Sequence, residues 1–164
     1  MVRTRVGYAG GTLQDPTYRK LGDHTETLQI DFDPNVITYE ELLEIFWDSH
    51  DPSIRAYSTQ YQSMILTHSE DQYRLAIQSR DQRQSESGRT IRTVIKPLEQ
   101  FYVAEDYHQK YYLRGRSDLE SLLETVYPEG VNWLYSTAAA RLNGIAGNHL
   151  SWQELNLETP DGES

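Results

Sequence analysis

The sequence predicts an α+β domain, on three observations. Strand-like and helix-like stretches interleave along the 164 residues. Strand pairs occur with no helix between them, which argues against a doubly wound parallel sheet. The length suits one domain with a sizeable core, and no internal repeat is visible.

The elements follow in order. Val2, Thr4, Val6 and Tyr8 alternate against Arg3, Arg5 and Gly7, the pattern of a half-buried strand. Gly10 and Gly11 then permit a tight turn, and Pro16 is expected to keep Asp15 extended. Leu28, Ile30 and Phe32 mark a second strand over 27–32. Asp33-Pro34-Asn35 turns the chain, and Thr38 with Glu41 forms a capping box that opens a helix carrying Tyr39, Leu42, Leu43 and Phe46 on one stripe. Asp51-Pro52 closes it. A third strand is expected over 61–66. Ser69 with Gln72 caps the next helix, which fades into a polar loop over 82–88. A fourth strand over 91–95 stops before Pro97, and 104–113 reads as helical. Ser117 and Glu120 box a helix through Val126, and Ser136-Thr137 opens a short alanine-rich helix. Residues 1–149 form the domain. Residues 150–164 carry acidic side chains and no basic ones, and read as a frayed tail.

Composition narrows the function. Fifteen Lys and Arg stand against 25 Asp and Glu, a net charge of −10. That argues against nucleic acid and anionic membrane surfaces as partners. No apolar run approaches transmembrane length and no signal-peptide pattern opens the chain, so a cytoplasmic protein is the expectation, and a monomer is expected. There are no cysteines, which removes disulfides, thiolate metal sites and cysteine nucleophiles from these residues.

Four polar constellations could carry chemistry. The glycine- and proline-stiffened stretch from Gly7 to Glu26 can hold Tyr18 and Glu26 in fixed relation; a glutamate in a tyrosine-lined pocket can stay protonated and serve as a general acid. The competing account is a structural turn with a satisfied tyrosine and a solvated glutamate. Tyr61, at the head of the third strand, could donate a hydrogen bond to a substrate oxygen, or simply pack. Glu105 and His108 lie one helical turn apart, but a di-iron site needs a second copy of that motif, and the chain has none. His24 belongs to no visible ligand set, and no serine or cysteine is placed for charge relay.

Six blocks resemble the A-type peptide methionine sulfoxide reductases: Gly7-Tyr8-Ala9-Gly10-Gly11, Pro16-Thr17-Tyr18, Gly22-Asp23-His24-Thr25-Glu26, Phe46 to Pro52, Ala104 to Gln109 and Ser136 to Gly144. The resemblance implies a ferredoxin-like two-layer sandwich with a mixed sheet and extra helices. It implies reduction of the S epimer of methionine sulfoxide, free or in oxidised proteins, with a thioredoxin-type reductant and no cofactor or metal. By motif position Glu26 would protonate the sulfoxide oxygen while Tyr18 and Tyr61 hydrogen-bond it, and Glu26 is expected on the buried face shared by Leu28, Ile30 and Phe32.

The departures are also informative. The family's Gly-Cys-Phe-Trp block, with its catalytic thiol, is absent, as is a resolving cysteine. Many members carry an aspartate shortly before the second tyrosine; here Ala56 to Gln60 has no acid. Met1 falls inside the family pattern, as a start placed after an in-frame UGA codon would leave it, with the first strand and helix of the fold upstream. The chain alone is then expected to be inactive; the alternative is a non-catalytic remnant that binds methionine sulfoxide or a partner protein.

Overall fold

The computed structural model describes residues 2–127 and 132–149; the acidic segment 150–164 lies outside them. The first two strands pair as the alternation requires. β1 (Arg3–Ala9) runs antiparallel to β2 (Thr25–Asp31), with Tyr8 opposite Glu26. On its other edge β1 takes β5 (Phe101–Val103), giving the order β2-β1-β5. Gly7 is required there, because a Cβ would collide with the Tyr102 carbonyl. A second sheet pairs β3 (Met64–Thr67) in parallel with β4 (Val94–Pro97). Antiparallel and parallel pairing thus coexist, as the α+β class predicts, but in two sheets rather than one.

Helix α1 (Tyr39–Asp48) starts on the Thr38–Glu41 box, both halves of which form. It packs Leu43 and Trp47 against Ile65, Ala76 and Ile91, and the Trp47 indole donates to Ser79 Oγ at 2.6 Å. Helix α2 (Glu70–Ser87) does not fade at 82: it runs to Ser87 and ends on Gly88 at φ 64°. Its last turns carry no apolar stripe, but the left-handed glycine cap fits a helix end there. α3 (Tyr111–Arg114), α4 (Ser117–Val126) and α5 (Thr137–Ala146) share a core of Leu113, Leu119, Leu123, Ala139, Leu142 and Ile145. Ser136 caps α5 through Ala139 N, whereas Ser117 is already inside α4 and caps nothing.

The expected helix over 104–113 is broken. A 3-10 turn, Asp106–His108, precedes α3, and Lys110 between them sits at φ 52°. This backbone turns two polar side chains onto β1. Gln109, fully buried, accepts from Val6 N at 3.0 Å and donates to Val6 O at 2.8 Å, extending the ladder beyond β5. Buried Lys110 donates to Thr4 O at 2.7 Å.

Between the sheets lies an apolar cleft of about 500 Å³. Consecutive residues of β2, Thr25 to Ile30, line it, as do consecutive residues from Gln62 to Leu66. Side chains alternate between faces of a strand, so uninterrupted lining means that both strand edges face the cleft. Leu28 is 55% exposed there, and the face predicted to be covered is open. Gln29 Oε1 and the Tyr39 hydroxyl are buried with no hydrogen-bond partner among the described residues. Burial alone pushes the Tyr39 phenol up to about 12.

Candidate active site

The loop after β1 is tied at its base. Gly10 turns at φ 81°, and its carbonyl accepts from Lys96 Nζ at 2.5 Å. Asp23 accepts from the backbone amides of Thr12 at 2.8 Å and Leu13 at 3.2 Å, and from the Thr12 hydroxyl at 3.0 Å. The Thr12 bonds above all pull its carboxyl down to about 2. His24, buried, accepts at Nδ1 from Gly11 N at 3.1 Å, so its Nε2 carries the proton and donates to Leu13 O at 2.8 Å. Gly11 permits this approach: a Cβ there would lie 2.6 Å from His24 N. His24 is therefore a structural clamp. Asp15 is not extended as expected but left-handed, at φ 48°, a region Asp tolerates better than most residues.

That loop delivers Tyr18, which is fastened from the far side of the sheet. Glu105 Oε1 accepts from Tyr18 N at 3.2 Å, and Oε2 accepts from the Tyr8 hydroxyl at 2.6 Å. Burial acts to raise the Glu105 carboxyl, but the Tyr8 hydrogen bond, backbone amides and neighbouring His108 outweigh it, and the group is held below its usual range. Burial first, and then Glu105, push the Tyr8 phenol well above its ordinary value, so it stays a neutral donor. The Tyr18 ring lies 4.7 Å from that of His108.

Glu26 enters from β2. Its Oε1 accepts from Gln60 Nε2 at 2.6 Å, and the same nitrogen lies 3.2 Å from the Tyr61 hydroxyl. Gln60 and Tyr61 belong to a 3-10 turn, Thr59–Tyr61, anchored to β2 by Thr25 Oγ1 donating to Thr59 O at 2.9 Å. The Glu26 carboxylate is the first cause of a raised Tyr61 phenol; burial, Tyr18 and Tyr57 add to it. Glu26 lines both the large cleft and a smaller cavity of about 260 Å³ with Tyr8, Tyr18, Ala104 and His108 in its wall.

The structure therefore brings Tyr18, Glu26 and Tyr61 together, but it corrects the expected burial. Glu26 is exposed, and Tyr18 and Tyr61 are 43% and 46% exposed. By register Glu26 and Leu28 lie two residues apart on β2, opposite Tyr8 and Val6 of β1. Burial on that face is uneven: Tyr8, opposite Glu26, is buried and Ile30 and Phe32 are half-buried, while Glu26 and Leu28 stay exposed at the openings they line. The partner of Glu26 is the Gln60 amide. The sequence reading missed Gln60 and Tyr8; adjacency to Tyr61 and cross-strand pairing with Glu26 were the available signals. It also missed a serine placed on a histidine: His50 Nε2 lies 2.8 Å from Ser63 Oγ, with Nδ1 3.0 Å from Phe46 O. Ser63 Oγ lies 2.8 Å from Thr93 Oγ1 in turn, so this chain ties α1 to both strands of the second sheet. Among the described residues no three His, Asp or Glu side chains converge as a metal site, and Glu105 is spent on Tyr8 and Tyr18. No helix among them is long and apolar enough to cross a membrane.

A carboxyl flanked by two phenols suits an acceptor oxygen that gains a proton as its bond breaks. Comparisons with known proteins place the chain in a family. The family model for peptide methionine sulfoxide reductase matches residues 1–130. A peptide methionine sulfoxide reductase of Drosophila melanogaster is 45% identical over 150 residues, covering 90% of this chain and 60% of the fly protein. The archaeal MsrA of Methanothermobacter thermautotrophicus is 46% identical over 140 residues, covering 76% and 82%. Among solved structures, reduced Mxr1 of Saccharomyces cerevisiae superposes with a TM-score of 0.64 at 32% identity, over 70% of this chain and 71% of that one. Methionine sulfoxide reductase A of Corynebacterium diphtheriae gives 0.61 at 30% identity, over 80% and 70%. The chain spans about 60% of the length of the fly and plant relatives. The family model, the archaeal relative and the two superposed structures agree, and the chain belongs to the A-type peptide methionine sulfoxide reductase family.

Proposed function

We propose that this domain binds the methyl sulfoxide of oxidised methionine, in proteins or free, at Tyr18, Tyr61 and Glu26, and serves the reduction of the S epimer. One observation supports this above the rest: Glu26 lines both openings, Tyr61 the larger and Tyr18 the smaller, so side chains from three separate segments meet around the Glu26 carboxyl. A sulfoxide oxygen is a strong acceptor and a poor leaving group. The phenols donate to it, and a protonated Glu26 transfers a proton as the S–O bond breaks.

The electrons come from a thiol or selenol that these 164 residues do not contain. Its attack on the sulfoxide sulfur forms a sulfur–sulfur (or selenium–sulfur) bond while oxygen departs protonated. The released hydroxide or water then bonds to the attacking sulfur as its bond to the substrate sulfur breaks, so that in net terms one thiol and one sulfoxide give a thioether and a sulfenic acid. A second thiol, delivered by a thioredoxin-type reductant, then gives a disulfide and water. The setting is the cytoplasm, and the protein acts as a monomer. The chain by itself binds but does not turn over, because a positioned acid does not replace a nucleophile.

The test is titration of the ¹⁵N-labelled chain with N-acetyl-methionine (S)-sulfoxide, its R epimer and N-acetyl-methionine. Shifts centred on Tyr18, Glu26 and Tyr61 with the S epimer, weaker with the others, support the reading. Equal response to all three ligands overturns it.

A further inference from the structure

Gln60 stands beside both reacting groups without being one of them. Its Nε2 lies 2.6 Å from Glu26 Oε1 and 3.2 Å from the Tyr61 hydroxyl. A carboxylate only accepts hydrogen bonds, so the amide nitrogen and not the oxygen must face Glu26. The nitrogen has a second hydrogen, and the Tyr61 oxygen is in reach of it. A phenol oxygen that accepts there has its own hydrogen free to point elsewhere. The backbone supports the arrangement: the Thr59–Tyr61 turn closes with Gln62 N donating to Thr59 O at 3.2 Å, and Thr25 holds Thr59 to the residue next to Glu26. Gln60 itself is half-buried while Glu26 and Tyr61 are exposed, so the amide is the better fixed of the three.

We propose that Gln60 is a positioning residue of the site: its carboxamide sets the spacing between Glu26 and Tyr61 and commits the Tyr61 hydroxyl to donating towards the ligand oxygen. This rests on the sulfoxide-binding reading above and adds a determinant of its selectivity. The phenol is polarised by the bond it accepts, which makes it the stronger donor. Without the amide the Tyr61 hydroxyl is free to donate to the Glu26 carboxylate, and the two groups satisfy each other rather than the ligand. Discrimination between a sulfoxide and the matching thioether then falls, because the thioether has no oxygen to lose.

The experiment is a double-mutant cycle on the 164-residue chain. N-acetyl-methionine (S)-sulfoxide and N-acetyl-methionine are the two probes, and the dissociation constants come from NMR titration. The variants are Gln60→Met, which keeps length and removes the donors, Tyr61→Phe, and both together. One neutral hydrogen bond is at stake, so Gln60→Met weakens sulfoxide binding about threefold to tenfold and leaves the thioether constant unchanged. In the Tyr61→Phe background the same substitution has little further effect. Equal loss for both probes, or full additivity with Tyr61→Phe, overturns the proposal and leaves the binding reading intact. A wild-type chain that shows no preference for the sulfoxide overturns both. Unchanged amide spectra away from the turn establish that each variant is folded.

Discussion

Lys110 offers a perturbation whose size follows from its surroundings. The residue is 6% exposed, and its ammonium donates to one carbonyl, Thr4 O, at 2.7 Å. Removal from water lowers its pKa from 10.5 to about 8. The unfolded chain therefore binds the proton up to pH 10.5 while the folded chain gives it up near 8. Between those values the unfolded state holds more protons, so stability rises with pH, and the cost is fully present below pH 8. A shift of 10.5 − 8 = 2.5 units corresponds to about 3 kcal/mol. Lys110→Met removes that cost and loses one hydrogen bond of about 1 kcal/mol, a net gain of about 2 kcal/mol at pH 7. For a domain of this size that is a rise in Tm of about 4–8 °C. Urea denaturation of both proteins at intervals from pH 7 to 10.5 measures it: the gain is level up to about pH 8, shrinks above it and is gone by the upper limit. Parallel stability curves across that range would refute the reasoning.

Three further outcomes follow from the same contacts. Glu105→Ala strips the acceptor from Tyr8 and from Tyr18 N, and should cost about 2–3 kcal/mol in urea denaturation while weakening sulfoxide binding, since Tyr18 is no longer held. Asp23 contributes stability above its unfolded value and loses it as pH falls towards about 2; Asp23→Asn should flatten that acid limb and speed hydrogen exchange at the Thr12 and Leu13 amides. Trp47→Phe removes the bond to Ser79 and part of the α1–α2 core, and should cost about 1–3 kcal/mol with the site's ligand contacts unchanged.

Much of this was legible in the residues because it was local. The Thr38–Glu41 box and the Ser136 cap obey rules that act within a few residues, and both form; β1 also forms where alternation placed it, although Gly7, Tyr8 and Ala9 are buried in succession rather than in alternation. What escaped needed long-range partners or a positive φ at a residue other than glycine. Asp15 and Lys110 both turn left-handed, and Lys110 splits a stretch whose periodicity reads as one helix. β5 has three residues, too few for alternation to register. The last turns of α2 carry charge and no stripe, so only Gly88 marks the true end. The site was legible as a trio by motif position. Its exposure was not, because alternation on β2 says which side chains share a face and nothing about what covers it. The open β2 and β3 edges and the unpaired Gln29 and Tyr39 atoms between them are the physical content of that gap.

The most direct test of the account is a crystal structure of the chain soaked with N-acetyl-methionine (S)-sulfoxide. The account predicts the sulfoxide oxygen within about 3 Å of the Tyr18 and Tyr61 hydroxyls and the Glu26 carboxyl, with Gln60 still at hydrogen-bond distance from Tyr61. A ligand seated elsewhere, or one bound here with its oxygen turned to solvent, would contradict it.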